Sequence, residues 1–210
     1  MAICHGSAAD GPVRGRHGPC LAAGMSRLAD MTELQTERLR LRLWRDDDLA
    51  DLELLNSDPR FLRFLTPGGE AYPPGWTADK LARMQRDWEE NGWGSWALEE
   101  RDGGRFVGRI GFQLHRLWPD DVELGWGVNP EVWGRGYATE AALAALRHGF
   151  DGVAFPRVVS ILHPENAPSI RVAEKIGERP YANVRWAPGG VNLLVYAIGH
   201  DEWARLQSTA

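Results

Sequence analysis

Leu39, Leu41 and Leu43 alternate with Arg38, Arg40 and Arg42, a period of two that predicts a first strand buried on one face. Asp46-Asp47-Asp48 then opens a helix carrying Leu49, Leu52 and Leu55. Asn56-Ser57-Asp58-Pro59 stops it, because the residue ahead of proline avoids the helical region. A short segment around Phe61 and Leu65 follows. An irregular loop with Pro67-Gly68-Gly69 and Tyr72-Pro73-Pro74-Gly75 then leads to a second helix, 77–90. Hydrophobic content predicts strands over 95–100, 106–115 and 122–128, the first two joined by an Asp102-Gly103-Gly104 hairpin turn. Gly108 and Gly111 leave room there for close packing or a bulge. Beyond lie a helix over 137–150, a strand over 156–162, a helix over 168–176 closed by Gly177, and facing strands over 181–186 and 191–198. This order predicts one mixed α/β domain with a central, mostly antiparallel sheet of about seven strands and one parallel crossing.

Composition narrows the class. The 210 residues are 43% hydrophobic and 25% charged, a globular balance, and the net charge of −5 argues against nucleic acid as a partner. Cys4 and Cys20 are the only cysteines, so neither a disulfide framework nor a zinc site is expected, and a cytoplasmic location follows. No run of about 18 apolar residues is present, which excludes a membrane-spanning helix. Residues 1–30 are rich in Gly, Ala and small polar residues, with Met25 inside and Met31 just after them. They are expected to be a flexible extension, or the product of a start placed too far upstream, ahead of a domain over 31–210. Most of the ten tryptophans are expected in core and pocket walls, with an exposed patch offering a surface for a homodimer.

The most informative chemistry lies at Trp133-Gly134-Arg135-Gly136-Tyr137-Ala138-Thr139-Glu140-Ala141, which follows a strand and runs straight into helix-forming residues. A helix N-terminus presents unpaired N–H groups and partial positive charge, and glycine lets a phosphate approach the backbone. A bound diphosphate is the expectation. A P-loop would need Gly-Lys-Ser/Thr, which is absent. A dinucleotide fold would need a third glycine where Thr139 stands, after the first strand of a parallel sheet.

Four segments in this order, Glu123-Leu124-Gly125-Trp126-Gly127-Val128, Trp133 to Ala141, Asn166-Ala167-Pro168-Ser169-Ile170-Arg171 and Glu174-Lys175-Ile176-Gly177, resemble the GNAT superfamily of acetyl-CoA-dependent N-acetyltransferases. Thr36-Glu37-Arg38-Leu39-Arg40-Leu41-Arg42 and Val107-Gly108-Arg109-Ile110-Gly111-Phe112 look most like the branch of ribosomal-protein N-terminal acetyltransferases. The resemblance spans about 34–205 and implies acetyl-CoA as co-substrate. It implies that Gly134, Arg135, Gly136, Tyr137, Ala138 and Thr139 cradle the diphosphate. Trp126, Gly127 and Val128 would bond the pantetheine arm through their backbone, with Asn166, Ser169 and Arg171 at its far end. The strand carrying Glu123 and the strand after the loop would splay to admit the thioester. Three positions depart from the family pattern. Glu131 stands where an Arg or Gln is common. Ala173 stands where many relatives carry a tyrosine acid. Gly177-Glu178 replaces a common Gly-Phe and looks like a packing difference.

Acetylation needs a neutral amine. An α-amine with pKa near ~7.7 is about one-sixth neutral at pH 7, whereas a lysine near ~10.4 is neutral about once in 2,500. Glu123 is the candidate base, with an ion pair to Arg109 as its structural alternative. A backbone N–H near Val128 would support the oxyanion. Ser169 is the candidate hydroxyl near the leaving thiolate, although a helix start or coenzyme contact suits it better. The acceptor pocket is expected from the loops: Phe64, Tyr72, Trp76, Trp93 and Trp186 as walls, His115 with Gln113 beside it, and Glu70 as attraction for a cationic amine. His148, His163 and the solvated Asp46-Asp47-Asp48 run look structural, and no cluster has metal-ligand spacing. The function expected is acetyl transfer to a primary amine, either a protein N-terminus or a small molecule. Another acyl-CoA, or coenzyme binding without turnover, are the alternatives.

Overall fold

A computed structural model describes residues 33–186 and 190–208. The expectations for 1–30, the two cysteines among them, lie outside that range, as does most of the turn at Pro188. The chain runs β1 (Leu34–Gln35), β2 (Leu39–Arg42), α1 (Leu49–Ser57), α2 (Pro59–Leu62), α3 (Trp76–Asn91), β3 (Ser95–Glu100), β4 (Phe106–His115) and β5 (Trp118–Val128). It continues through α4 (Tyr137–Arg147), β6 (Arg157–Leu162), α5 (Ala167–Lys175), β7 (Arg179–Trp186), β8 (Val191–Gly199) and α6 (His200–Ser208). The strands form one sheet in the order β1-β2-β3-β4-β5-β6-β8-β7, antiparallel throughout except at β5–β6. The sheet has eight strands where patterning gives about seven, because β1 adds a two-residue edge.

Directly paired residues share a face, so register assigns the layers. Leu41 opposite Leu98, Trp96 opposite Ile110, and Phe112 opposite Leu124 bury one face against Ala141, Ala142, Ala145 and Leu146 of α4. The other face carries Ala97 opposite Arg109, Arg109 opposite Gly127, and Gln113 opposite Glu123. Ala97 packs there with Trp44, Leu52 of α1, and Leu81 and Met84 of α3. Gly108 permits the tight β4–β5 approach, since a Cβ would lie 2.2 Å from the Gly127 carbonyl oxygen.

Two expectations are corrected. The alternating arginines of β2 do not all face water: Arg42 is 3% exposed, held bidentately by Asp48 (2.7 and 2.6 Å) and bonded through Nε to Glu99. Asp48 is accordingly buried and not part of a solvated run, although Asp46 and Asp47 are exposed. Asp48 also accepts from the Arg45 N–H at 2.7 Å, so one carboxylate caps the first helical turn and neutralises the arginine. The C-terminal helix α6, which patterning leaves out, packs Trp203 against Phe150 with ring centroids 5.7 Å apart.

Candidate active site

The parallel strands β5 and β6 pair at Val122↔Val158 and Glu123↔Val159 and then diverge. Which β5 groups face the opening follows from the ladder. The Asn129 N–H donates to the Val107 carbonyl, so the residues exchanging bonds with β4 are 127, 125 and 123. The N–H and C=O groups of Trp126 and Val128 therefore point towards β6, which offers them no partner beyond Val159. The indole Nε1 of the half-exposed Trp133 takes the Val128 carbonyl at 2.7 Å. What remains is a polar strand edge inside the sheet.

One end of this edge meets the glycine loop. Gly134 (φ 79) and Gly136 (φ 83) are both left-handed, and Gly136 is the N-cap of α4. No atom within 4 Å would meet a Cβ at Gly134, so the loop surface there is open. The Tyr137 side chain turns inward to donate to Glu100 (2.9 Å), leaving its backbone at the helix start. Ala138 and Thr139 are half-buried in that first turn, and the exposed Arg135 lies 3.6 Å from Glu100. Glu131 turns away to Arg60 of α2 at 2.8 Å. Patterning alone misses Arg38. Its guanidinium donates to the Arg135 carbonyl (2.8 Å), pairs with Glu140 of α4 (2.6 Å) and stands 3.5 Å from where a Gly136 Cβ would be. In the sequence Arg38 is only one polar member of an alternating strand, and nothing local links it to a loop a hundred residues away.

Across the opening, Asn166 caps α5 by accepting from the Ser169 N–H at 3.2 Å, which leaves its amide NH₂ uncommitted. Ser169 is thus a helix-start residue, and Arg171 is exposed. Ala173 is fully buried with Leu162 and Tyr196 and offers no hydroxyl.

Glu123 is 6% exposed at the point where the strands part. Its partner is Gln113, whose Nε2 donates at 2.7 Å, and no ion pair joins it to Arg109. The Gln113 carbonyl oxygen in turn accepts from Lys80 of α3 at 3.1 Å, giving a Lys80–Gln113–Glu123 chain. Burial pushes the Lys80 ammonium down to about 7, helped by Arg109 and Arg83. Behind Glu123 lies a second carboxyl that patterning takes for packing. Glu178 is fully buried. The Ser160 hydroxyl donates to the Leu124 carbonyl at 2.9 Å and also lies 2.9 Å from Glu178 Oε1. One hydroxyl carries one proton, so both contacts are made when Glu178 is the protonated partner. Burial, with Glu123 nearby, pushes Glu178 up to about 8, which supplies that proton.

The residues expected to form the acceptor pocket are not all brought together. Tyr72 stacks on Trp76 with centroids 3.6 Å apart, and Phe64 meets His163 beyond β6 at 5.1 Å. Trp93 packs edge-on to Phe155 and, with His115, Lys80 and Gln113, lines a cavity of about 260 Å³ along α3. Trp186 sits at the β7–β8 hairpin, and Glu70 is exposed, its carbonyl accepting from the Thr66 hydroxyl and its N–H donating to the Pro67 carbonyl. Among the described residues no group of three or more His, Cys, Asp or Glu side chains could hold a metal ion.

The profile of the acetyltransferase (GNAT) domain matches residues 38–179, and the chain belongs to that family. It is 35% identical to an uncharacterized protein of Bacillus subtilis, YkkB, over 70% of this chain and 84% of that protein. The acetyltransferase from Agrobacterium tumefaciens is similar in structure at a TM-score of 0.69 and 29% identity, covering 88% of this chain and 99% of the other. A spermidine N-acetyltransferase from Vibrio cholerae, solved with CoA and spermine, shares the fold at a TM-score of 0.65 and 15% identity, over 80% and 99% of the two chains.

Proposed function

We propose that this protein transfers an acetyl group from acetyl-CoA to a primary amine by direct attack of the amine on the thioester. One observation carries this: β5 stops pairing with β6 beside a helix N-terminus fronted by two left-handed glycines. That arrangement offers an anion site and a strand edge at the two places where a diphosphate and a pantetheine amide need partners. The loop backbone from Gly134 to Thr139 would hold the diphosphate, with Arg38 and Arg135 as flanking cations. Trp126 and Val128 would bond the pantetheine, and the Asn166 amide its far end.

In the reaction a C–N bond forms at the acetyl carbonyl carbon and the C–S bond breaks. A backbone N–H on this strand edge, near Val128, would stabilise the oxyanion between these events. The amine proton leaves through water to Glu123, which is buried but uses only one described hydrogen bond. The thiolate takes up that proton, relayed through water, since Ala173 has no hydroxyl and the Ser169 hydroxyl is a weak acid. An α-amine needs little help to lose its proton at pH 7, which suits a base acting through water.

Release of free thiol from acetyl-CoA in the presence of a panel of amines tests this. Amine-dependent release is expected, and its absence with peptide N-termini, polyamines and small amines alike would refute the transfer. With an active acceptor, Glu123→Gln should lower kcat by about 10²-fold or more and alter the pH–rate profile. An unchanged profile would show that Glu123 is not the base.

A further inference from the structure

We infer that the acceptor is a small amine carrying a carboxylate a few bonds from its nitrogen, with the carboxylate held by Arg109. The inference rests on the acetyl transfer proposed above and names its substrate class. Arg109 rises from β4 on the face beneath α1 and α3, opposite Gly127 of β5, so it stands beside the strand edge where the thioester would lie. Its guanidinium makes no hydrogen bond or ion pair with any described residue, although it is only partly exposed. By contrast Arg38, Arg42, Arg60 and Arg157 all have carboxylate partners.

The surroundings make this exceptional. The Phe61 ring lies against Gly127, where a Cβ would sit 2.7 Å from it, and Tyr72 packs with Phe61 and Leu62. Burial pushes the Arg109 guanidinium down from its ordinary value, and only Tyr72 and Glu123 act on it in the other direction. Glu123 is already bonded to Gln113. Of the other acids on this side, Asp87 is flanked by Lys80 and Arg83, and Asp48 and Glu99 are held by Arg42. A partly desolvated guanidinium without an anion is unfavourable, and its planar fork matches a carboxylate bidentately. Gly125 keeps the floor between Arg109 and Glu123 low, the nearest atom to a Cβ there being Gln113 Nε2 at 3.7 Å, while the Phe61 ring stands over Gly127. An amine anchored there by its own carboxylate lies over the thioester edge, with Glu123 further along the same face. A polyamine would bring its additional positive charges against Arg109 and Lys80.

The test uses matched sets of free amino acid, amino-acid amide and decarboxylated amine, built on glycine, leucine and phenylalanine, with spermine and O-phosphoethanolamine added. Initial rates of thiol release are measured for each. The free acid should exceed its amide in kcat/KM by about ten- to a hundredfold, the size of a charge-assisted pair. The amide's amine is the less basic, so chemistry alone would favour the amide. Arg109→Gln should abolish the acid-to-amide ratio through KM, and Arg109→Lys should restore part of it. If amides, spermine or simple amines are used as well as the acids, the inference fails while acetyl transfer stands. A preference for O-phosphoethanolamine over every amino acid would overturn the carboxylate assignment. If no amine releases thiol, thermal shifts in the presence of CoA still decide the site. Stabilisation by the acids and not the amides, lost in Arg109→Gln, supports it; no stabilisation by any acid overturns it.

Discussion

Glu178 keeps a proton at neutral pH because it is buried with Ser160 and a neighbouring acid, and the protonated form completes the Ser160 bridge between β6 and the Leu124 carbonyl. Its folded value of about 8 lies above the ordinary 4.5. Between these values the folded protein binds the extra proton, so stability falls as pH rises through that window. Glu178→Gln mimics the protonated carboxyl. It should flatten the loss of Tm between pH 5.5 and 8.5 and leave the variant more stable than wild type at the upper end, as measured by differential scanning calorimetry. The role of this residue was illegible in the sequence: a glutamate after a helix-closing glycine looks like a packing difference, and only the fold brings Ser160 to it. Glu123 was legible, because its strand and its distance from the glycine loop fix its place. Its partner was not. The ion pair with Arg109 is replaced by a bond from Gln113, directly opposite in the β4–β5 ladder.

At the scale of elements, the start of α4 was the most legible feature. Glycine spacing and a following helix-forming run are local signals, and both glycines do take positive φ. The anchoring of this helix was not local. Glu140 in its first turn accepts from the Thr36 hydroxyl at 2.6 Å and from the Arg38 backbone at 2.9 Å, tying the helix to the β1–β2 turn. Gly136→Ala should cost about 1–2 kcal/mol, the penalty of a left-handed residue bearing a Cβ. It should also weaken CoA binding in isothermal titration calorimetry by displacing the loop backbone. Elements with few apolar residues escaped the pattern: β1 has two residues, and α6 buries only Trp203. The aromatic walls expected for the acceptor are brought together only in part, Tyr72 with Trp76, for a different reason. Loop residues meet whatever the fold brings to them, and Trp93 found Phe155 instead of Tyr72.

Across the whole molecule, the sheet is two half-sheets, β1 to β5 and β6-β8-β7, joined by two residue pairs and the Ser160 bridge. The first half is locked at its base by the Arg42–Asp48–Glu99 cluster. Asp48→Ala would leave a buried guanidinium with one partner fewer and an uncapped turn. A loss of about 3–5 kcal/mol is expected in urea unfolding, as for other buried pairs broken on one side. The seam between the halves has a kinetic signature. An interior strand of an eight-stranded sheet should have amide protons that exchange slowly with solvent, yet the Trp126 and Val128 amides face the gap and have no partner in β6. In hydrogen–deuterium exchange these two should label rapidly in the free protein while Gly125 and Gly127, bonded to β4, stay dark. Saturating CoA should close the difference, so that the coenzyme is registered as the missing neighbour of one strand.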